Sequence, residues 1–349
     1  MNLSWTFPYP SQRMPVFARN VVATSQPLAA QAGLQMLARG GNAVDAALAA
    51  AITLTVVEPT SNGIGSDAFA LIWDGKELHG LNGSGRLPRA WTPDRFAGRS
   101  KMPQLGWDAV TVPGAVDAWI SLSRKFGKLP FSDLFEFAVR YATDGFSVSP
   151  ITAERWSLAP ARFREFPDLG DTFLVDGRAP QPGEFFRPRG MAGTLRTIAE
   201  TGDESFYRGE LAARIVSHAE KTGGSMTAAD LAEHHSEWVK PLSQNWLGTT
   251  LYELPPNGQG LTVLIALGVL NHLSIENYPV DSVESLHLQM EAMKVSFALA
   301  KQHIADRAWM TIEPASLLDD SLLEDRSRTI RLDRAAFPVS SIPPDGGTV

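Results

Sequence analysis

The residues with the clearest chemical potential are Thr348 and the two glycines before it, in the segment SSIPPDGGTV. A threonine hydroxyl is a weak nucleophile unless a base lies beside it, and the free α-amine of the same residue is one such base. That amine has a reference pKa of about 7.7–8.0, and it exists only after the bond before Thr348 is cut. Gly346 and Gly347 suit self-cleavage, because no side chain shields the Gly347 carbonyl and glycine tolerates strained backbone. The alternative is an ordinary polar tail.

An arginine in the stretch LNGSGRLP (residues 81–88) is a second candidate for chemistry. The planar guanidinium of Arg86 can bind a carboxylate through two parallel hydrogen bonds. The simpler interpretation is a solvated arginine in a turn, and the residue types alone favour that interpretation. A ligand role for Arg86 therefore needs support from the rest of the chain.

Two other glycine-rich stretches are predicted to be turns. NGIGSD (residues 62–67) can hold an anion with backbone N–H groups. It lacks the Lys-Ser/Thr of a P-loop and the dinucleotide fingerprint, and a strand follows it where a helix is required. We predict a turn with positive φ at Gly63 and Gly65, and an alternative is a turn that packs against another subunit's active site. PPNGQG (residues 255–260) is predicted to be a plain turn.

Several other chemistries are excluded by what the sequence lacks. It has no cysteine, so it has no disulfide framework, thiolate metal site or cysteine nucleophile. It contains no His-Glu-x-x-His motif and no serine in a nucleophile elbow. Of its seven histidines only His234 and His235 are adjacent, and adjacent side chains do not converge on one metal from a helix face. We expect no metal and no organic cofactor.

Composition indicates a globular protein that does not bind nucleic acid. The 349 residues are 44% hydrophobic and 20% charged, which is enough for one large domain or two ordinary ones. A net charge of −7 argues against a nucleic-acid partner. The most apolar stretch, Ala43–Val57, contains Asp45 and is too short to span a bilayer. The N-terminus does not resemble a signal peptide, so we predict a cytoplasmic location, or a periplasmic one if a signal was removed.

Helix signals are strongest near the N-terminus. Ser25 is predicted to cap a helix through QPLAAQAGLQMLARGG, and Asn42 to cap a second, buried helix over Ala43–Val57. The Gly-Gly link between them predicts an αα-hairpin. A further long helix is predicted at about Val283–Ile304.

Strand signals alternate with the later helices. AFALIW and KELHGL flank Asp74 and Gly75 and predict a β-hairpin. AVTVPGAVDAWISLSRKFG predicts a strand, a turn and a helix, and GTTLYELPPNGQGLTVLIALGVLNHL predicts the same order. Residues up to about 237 are otherwise predicted to be helical, with loops at 166–190. The pattern indicates an α+β or layered α/β/α protein without regular βαβ alternation.

These features together resemble the γ-glutamyltranspeptidase family of N-terminal-nucleophile hydrolases, from about Val22 to Val349. The resemblance rests on VVATSQPLAAQAGLQMLARGGNAVDAALAAAITLTVVEP, NGIGSDAFALI, VPGAVDAW, LPPNGQG and the closing GGTV, in that order. It implies a four-layer αββα sandwich, of which this chain is the helix-rich large-subunit part. It also implies a precursor that cuts itself between Gly347 and Thr348, so that Thr348 becomes the nucleophile.

The resemblance divides the chain and defines its partner. Residues 1–347 would be the large subunit, and 348–349 the start of a small subunit from the same precursor. That small subunit carries the oxyanion hole and much of the substrate pocket in the family. The chain alone is therefore expected to be inactive. It is also expected to expose strand edges near Ala68–Trp73 and Leu251–Leu254.

One departure from the family concerns substrate binding. Members that act on γ-glutamyl compounds carry a motif like Arg-Glu-x-Ala-Pro, whose arginine binds the glutamate α-carboxylate. Alignment on Pro88 places Ser84 at the arginine and Gly85 at the glutamate, with Arg86 two positions later. The chain is similar to the branch with acylase-like enzymes and oxamate amidohydrolase, which implies an amidohydrolase or acyltransferase acting on a small-molecule amide. Alternatives are a true γ-glutamyltransferase with Arg86 as the carboxylate ligand, and a non-catalytic truncated scaffold.

Overall fold

The computed structural model describes residues 16–336, and that range contains fourteen α-helices and seven β-strands. The helices are α1 (Pro27–Ala38), α2 (Ala43–Val57), α3 (Ala115–Phe126), α4 (Glu136–Asp144), α5 (Pro150–Trp156), α6 (Ala159–Arg162), α7 (Pro167–Phe173), α8 (Arg189–Thr201), α9 (Glu204–Tyr207), α10 (Glu210–Lys221), α11 (Ala228–Ala232), α12 (Gly260–Asn271), α13 (Val283–His303) and α14 (Asp320–Ser327). The strands are β1 (Ala68–Trp73), β2 (Leu78–Gly83), β3 (Phe146–Ser147), β4 (Phe185–Phe186), β5 (Glu237–Val239), β6 (Leu242–Trp246) and β7 (Thr249–Glu253).

The chain divides into two compact units. Of the described residues, the helical unit contains 18–69 and 82–237, and the C-terminal unit contains 16–17, 70–81 and 238–336. A three-stranded sheet has the order β1-β2-β5. The predicted hairpin of β1 and β2 around Asp74 and Gly75 is therefore confirmed as a pair of neighbouring strands.

The first helix of the helical unit is capped by a residue other than the predicted one. The side chain of Gln26 accepts hydrogen bonds from the N–H groups of Leu28 and Ala29 at the start of α1. The predicted cap, Ser25, instead donates its hydroxyl to the carboxylate of Glu58 at 2.5 Å. The Ser25 prediction was wrong because a partner 33 residues away in sequence binds the hydroxyl.

The second helix agrees with its prediction at both ends. Asn42 caps α2 through the N–H groups of Val44 and Asp45, and Asp45 accepts in return from the Asn42 N–H at 2.8 Å. Asp45 is fully buried, and it also accepts from the backbone N–H groups of Lys128 and Leu129. A buried carboxylate requires such partners, so Asp45 fixes the αα-hairpin against the loop that follows α3.

Two further predictions for the helical unit were wrong in detail. The residues before Pro113 form no named strand, because a short 3₁₀ turn at Trp107–Ala109 precedes them and Val112 donates a single backbone bond to Arg86 at 2.9 Å. The loop predicted at 166–190 contains helix α7 (Pro167–Phe173). The helix predicted after Pro113 is confirmed as α3, and the core around it includes Trp119, Leu134, Phe135, Leu195 and Ile198.

The C-terminal unit is built on a strand hairpin and two long helices. β6 and β7 pair antiparallel from Leu242 opposite Glu253 to Trp246 opposite Thr249. Helix α12 packs against β6 and against α13, and its apolar face is almost entirely buried. The predicted helix at about Val283–Ile304 is confirmed as α13. The core of this unit comprises Leu261, Leu264, Ile265, Val269, Leu288, Ala292, Leu299, Leu317, Leu323 and Ile330.

Candidate functional site

The predicted site residues fall into a described group and an undescribed group. Gly347 and Thr348 lie outside the described residues, so the predicted cleavage point stays a prediction. Ser84 and Arg86 are described, and both lie in the loop that follows β2 in the helical unit. The site is therefore built upward from that loop.

The loop begins where three backbone segments are in contact. A Cβ atom on Gly83 would lie 2.6 Å from the carbonyl oxygen of Ala68, and one on Gly114 would lie 1.9 Å from the carbonyl oxygen of Gly83. Only glycine fits at such separations. The N–H groups of Gly114 and Ala115 both donate to the carbonyl of Ser66, at 3.1 and 2.8 Å, and this holds the start of α3 against the turn before β1.

Gly85 continues this close packing into the loop. A Cβ atom on it would lie 1.6 Å from the carbonyl oxygen of Val112. Its N–H donates to the carboxylate of Asp67 at 3.1 Å, and the N–H of Ser84 donates to the side chain of Asn82 at 3.0 Å. Glycine is thus required at position 85 by contact with the backbone, because any Cβ atom there would overlap the Val112 carbonyl.

Arg86 points to two neighbours in the helical unit. One guanidinium nitrogen lies 3.4 Å from the carboxylate of Glu237 and 3.4 Å from a ring nitrogen of His235. The side chains of Arg86 and Glu237 are 55% and 57% exposed, and such exposed pairs contribute little to stability. The guanidinium of Arg86 is oriented by these two contacts.

A buried histidine, His234, lies beside the loop, and no sequence pattern predicted its burial. His234 is only 3% exposed, its ring stacks on Tyr207 with centroids 5.4 Å apart, and neither ring nitrogen has a hydrogen-bond partner within the described residues. Burial lowers the pKa of His234 below its usual value, while the nearby carboxylate of Asp117 acts in the opposite direction. His234 is therefore neutral near pH 7.

The groups around His234 bind backbone atoms. The hydroxyl of Tyr207 donates to the carbonyl of Pro113 at 2.7 Å and accepts from the N–H of Asp117 at 3.2 Å. Burial raises the pKa of Tyr207, so the hydroxyl stays protonated. Asp117 accepts from the N–H of Ser236 at 2.6 Å. These hydrogen bonds hold together the backbone segments around His234.

The other sequence candidates have structural explanations. In NGIGSD neither Gly63 nor Gly65 has positive φ, so that prediction was wrong; the N–H of Gly63 donates to the hydroxyl of Ser66 at 2.9 Å instead. PPNGQG lies between β7 and α12 and is confirmed as a connecting turn.

One group of potential metal ligands occurs in the described chain, at the turn between β1 and β2. Oxygen or nitrogen atoms of Asp74, Glu77 and His79 lie within 4.8 Å of one another. Asp74 accepts from the N–H groups of Glu77 and Lys76 and from His79, and these bonds lower the pKa of Asp74 to about 2. The carboxylate thus stabilises the turn.

A cavity of about 760 Å³ lies elsewhere in the helical unit. Trp107, Phe163 and Phe166 form its aromatic wall, and Arg95 pairs there with Asp108 at 2.7 Å. None of the predicted site residues lines it. Within residues 16–336, no helix combines the length and apolar character needed to cross a bilayer.

Comparison with known families gives the assignment. Residues 29–349 match the profile of the family described as Gamma-glutamyltranspeptidase. The chain belongs to this family. Among curated relatives, the glutathione hydrolase-like YwrD proenzyme of Bacillus subtilis is 37% identical over 328 residues, which cover 93% of this chain and 62% of the relative. The oxamate amidohydrolase proenzyme of Klebsiella pneumoniae is 35% identical over 330 residues, which cover 92% and 62%.

Solved structures of the family share the fold. The cephalosporin acylase from Bacillus halodurans aligns with a TM-score of 0.87 and 44% identity, covering 95% of this chain and 63% of the acylase chain. The γ-glutamyltranspeptidase from Pseudomonas nitroreducens aligns with a TM-score of 0.87 and 28% identity, covering 93% of this chain and 98% of its own. The predicted N-terminal-nucleophile hydrolase fold is confirmed. The chain spans about three fifths of the length of the curated relatives above.

The backbone contact at Gly85 yields a stability prediction. Gly85→Ala should lower the melting temperature of the full-length protein, because the new methyl group overlaps the Val112 carbonyl and such overpacking costs roughly 1–3 kcal/mol. The matched control is Gly193→Ala in α8. There the new methyl group meets open space, and alanine replaces a glycine inside a helix, where glycine is the less favourable residue. Thermal unfolding checks both variants, and equal melting temperatures for the two would contradict the contact.

The buried His234 yields a prediction about pH. Because the folded pKa of His234 lies below the unfolded value of about 6.5, the unfolded state binds more protons as the pH falls below that value. The stability contributed by neutral His234 is therefore present above that pH and is lost below it. His234→Phe, which keeps a ring against Tyr207, should reduce the drop in melting temperature between about pH 7.5 and about pH 5.5. An unchanged drop would show that folding does not lower the pKa of His234.

Proposed function

We propose that this chain is the large-subunit part, residues 1–347, of a proenzyme that cuts itself before Thr348 and then hydrolyses or transfers acyl groups from amides. The observation that carries the proposal is the extent of the family match, which runs to residue 349 and includes the Gly346-Gly347-Thr348 junction. An ordinary polar tail gives no reason for the match to extend through that junction.

The lengths of the matched chains support a division at this point. The curated relatives are named proenzymes, and this chain covers 62% of each. The solved γ-glutamyltranspeptidase chain is instead covered over 98% of its length. A chain of this extent therefore exists as a separate polypeptide in one related structure and as part of a longer one in others. The partner we propose is a small subunit that begins at Thr348.

The chemistry uses the hydroxyl and the amine of one residue. In cleavage, the Thr348 hydroxyl attacks the Gly347 carbonyl, and the C–N bond breaks as the nitrogen takes up the hydroxyl proton, which leaves an ester and a free α-amine. Water then hydrolyses the ester, releasing the Gly347 carboxylate and the Thr348 hydroxyl. In turnover, that amine accepts the hydroxyl proton as the oxygen attacks the substrate amide. The substrate's amine leaves with a proton, and water or an acceptor amine releases the acyl group. The proposed steps require no metal or organic cofactor.

The acyl group we propose belongs to a small acid amide rather than a γ-glutamyl compound. Ser84 stands where the family's arginine binds the glutamate carboxylate, and a hydrogen bond to a charged partner contributes about 1.5–3 kcal/mol. Its loss weakens γ-glutamyl binding by roughly one to two powers of ten. The name of one relative, oxamate amidohydrolase, fits this direction, whereas the glutathione hydrolase-like relative is named for a γ-glutamyl compound.

The full-length protein should split between Gly347 and Thr348. Intact-mass measurement of the purified protein should detect a fragment that ends at Gly347, and Thr348→Ala should leave the precursor uncut because the attacking hydroxyl is gone. Thr329→Ala removes a hydroxyl that only bonds the nearby Arg326 carbonyl and serves as the control. Cleavage of Thr348→Ala at the wild-type rate would rule out Thr348 as the attacking group.

The processed enzyme should prefer short dicarboxylic monoamides to γ-glutamyl-p-nitroanilide when kcat/KM is compared. Arg86→Ala should change the weak γ-glutamyl rate little, since Arg86 already faces Glu237 and His235. Arg89→Ala, which removes a nearby exposed arginine paired with Glu233, is the matched control. A strong γ-glutamyl preference that collapses only in Arg86→Ala would favour a true γ-glutamyltransferase instead.

A further inference from the structure

The chain leaves the core of the C-terminal unit through a short arm, residues 330–336, that follows α14. Ile330 is buried in that core with Leu288 and Ala292 of α13. Beyond Ile330 the arm makes a tight turn, closed by a bridge between Arg331 and Arg334. The side chain of Ala336 is exposed, so apolar burial does not hold the far end of the arm.

Three polar side chains of α13 bind the backbone of this arm. A ring nitrogen of His287 lies 2.9 Å from the carbonyl of Arg331. Glu291 accepts from the N–H of Ala336 at 3.0 Å, and the ammonium of Lys294 donates to the carbonyl of Ala336 at 2.9 Å. Spacings of four and three residues place these side chains on one face of the helix. The arm therefore advances along α13 in the direction of the helix.

Ala336 is held at both of its backbone polar groups by a single ion pair. Lys294 donates to Glu291 at 2.6 Å while each side chain also bonds the arm. The side chain of Glu291 is only 3% exposed, and that of Lys294 is 36% exposed. A nearly buried carboxylate is costly unless it is paired and hydrogen-bonded. Here the N–H of Ala336 supplies one of its two partners, so the pair and the arm stabilise each other.

The arm precedes the proposed cleavage point in the sequence. Gly347 follows Ala336 by eleven residues. At about 3.3–3.6 Å per residue, a segment of that length reaches at most ~40 Å. An anchor at Ala336 therefore limits how far the Gly347–Thr348 bond can lie from α13. Positioning of reacting groups is a large part of the rate of such intramolecular reactions.

We propose that Glu291 and Lys294 are positioning residues for self-cleavage, and that their ion pair clamps Ala336 so that the junction before Thr348 reaches its reactive geometry. The inference rests on the proposed function, because it concerns the same cleavage. It assigns neither residue a direct part in the chemistry. Once the bond is cut the clamp has no further task, so its loss affects maturation and leaves turnover intact.

The test measures the rate of cleavage in the full-length single-chain precursor. Glu291→Gln and Lys294→Met should each slow the appearance of the two fragments by about tenfold or more, the factor that a charge-assisted hydrogen bond contributes. The matched controls on the same helix are Glu284→Gln and Lys301→Met, at exposed positions. The controls should cleave within about twofold of the wild-type rate.

A second readout separates positioning from a general structural role. The same variants are prepared with the two subunits expressed as separate chains, the small one beginning at Thr348, and kcat/KM is measured with an amide donor. Glu291→Gln and Lys294→Met should then match the wild type within about twofold. Equal losses in cleavage and in this activity would overturn the inference, and so would wild-type cleavage rates in both variants.

Ala336→Pro tests the clamp from the other side, because proline lacks the N–H that Glu291 accepts. It should slow cleavage as Glu291→Gln does, and it carries the test if a substitution in α13 prevents folding. A wild-type precursor that never splits would contradict the proposed function itself. A wild-type precursor that splits while all three variants keep pace with it would contradict only the clamp.

Discussion

Close contact between backbone segments at Gly83, Gly85 and Gly114 is the constraint on which the helical unit's loop depends. A side chain on any of them would lie within 3 Å of a neighbouring carbonyl oxygen. The Ser66 carbonyl, which accepts from two N–H groups at the start of α3, completes this contact. The geometry explains why glycine is required at all three positions of this loop and its surroundings.

Several carboxylates of the described residues accept hydrogen bonds from backbone N–H groups of loops. Asp45 accepts N–H groups from two loops, and Asp117 accepts from Ser236. Glu291 accepts from Ala336 in the C-terminal unit in the same manner. A carboxylate that receives backbone N–H groups fixes a loop without requiring a strand or helix there. The irregular segments that carry the candidate chemistry are held by such bonds.

Local sequence patterns correctly predicted the helices and strands that are stabilised by interactions between residues close in sequence. The Asn42 cap and the alanine-rich run after it predicted α2, and Asp74 with Gly75 predicted the first strand pair. Predictions were wrong where a distant group intervened. Ser25 is bound by Glu58, and Val112, in the segment before Pro113, donates to the distant carbonyl of Arg86.

In the candidate site, too, the residue types were predictable from local sequence, but the contacts between distant residues were not. Arg86 was identified from its loop, but its contacts with His235 and Glu237 join residues about 150 positions apart. The burial of His234 follows from packing against Tyr207, which no local pattern encodes. The part of Thr348 came from its glycine junction and from resemblance to the family, and it stays a prediction.

Trapping of the acyl-enzyme tests the central claim most directly. The processed enzyme is mixed with an amide donor, quenched in acid at early times, digested and mapped by mass spectrometry. We predict that the peptide beginning at Thr348 gains the mass of the acyl group, and that this mass disappears as the donor is exhausted. Turnover with the acyl group on another residue, or with no adduct during a burst of amine release, would contradict the account.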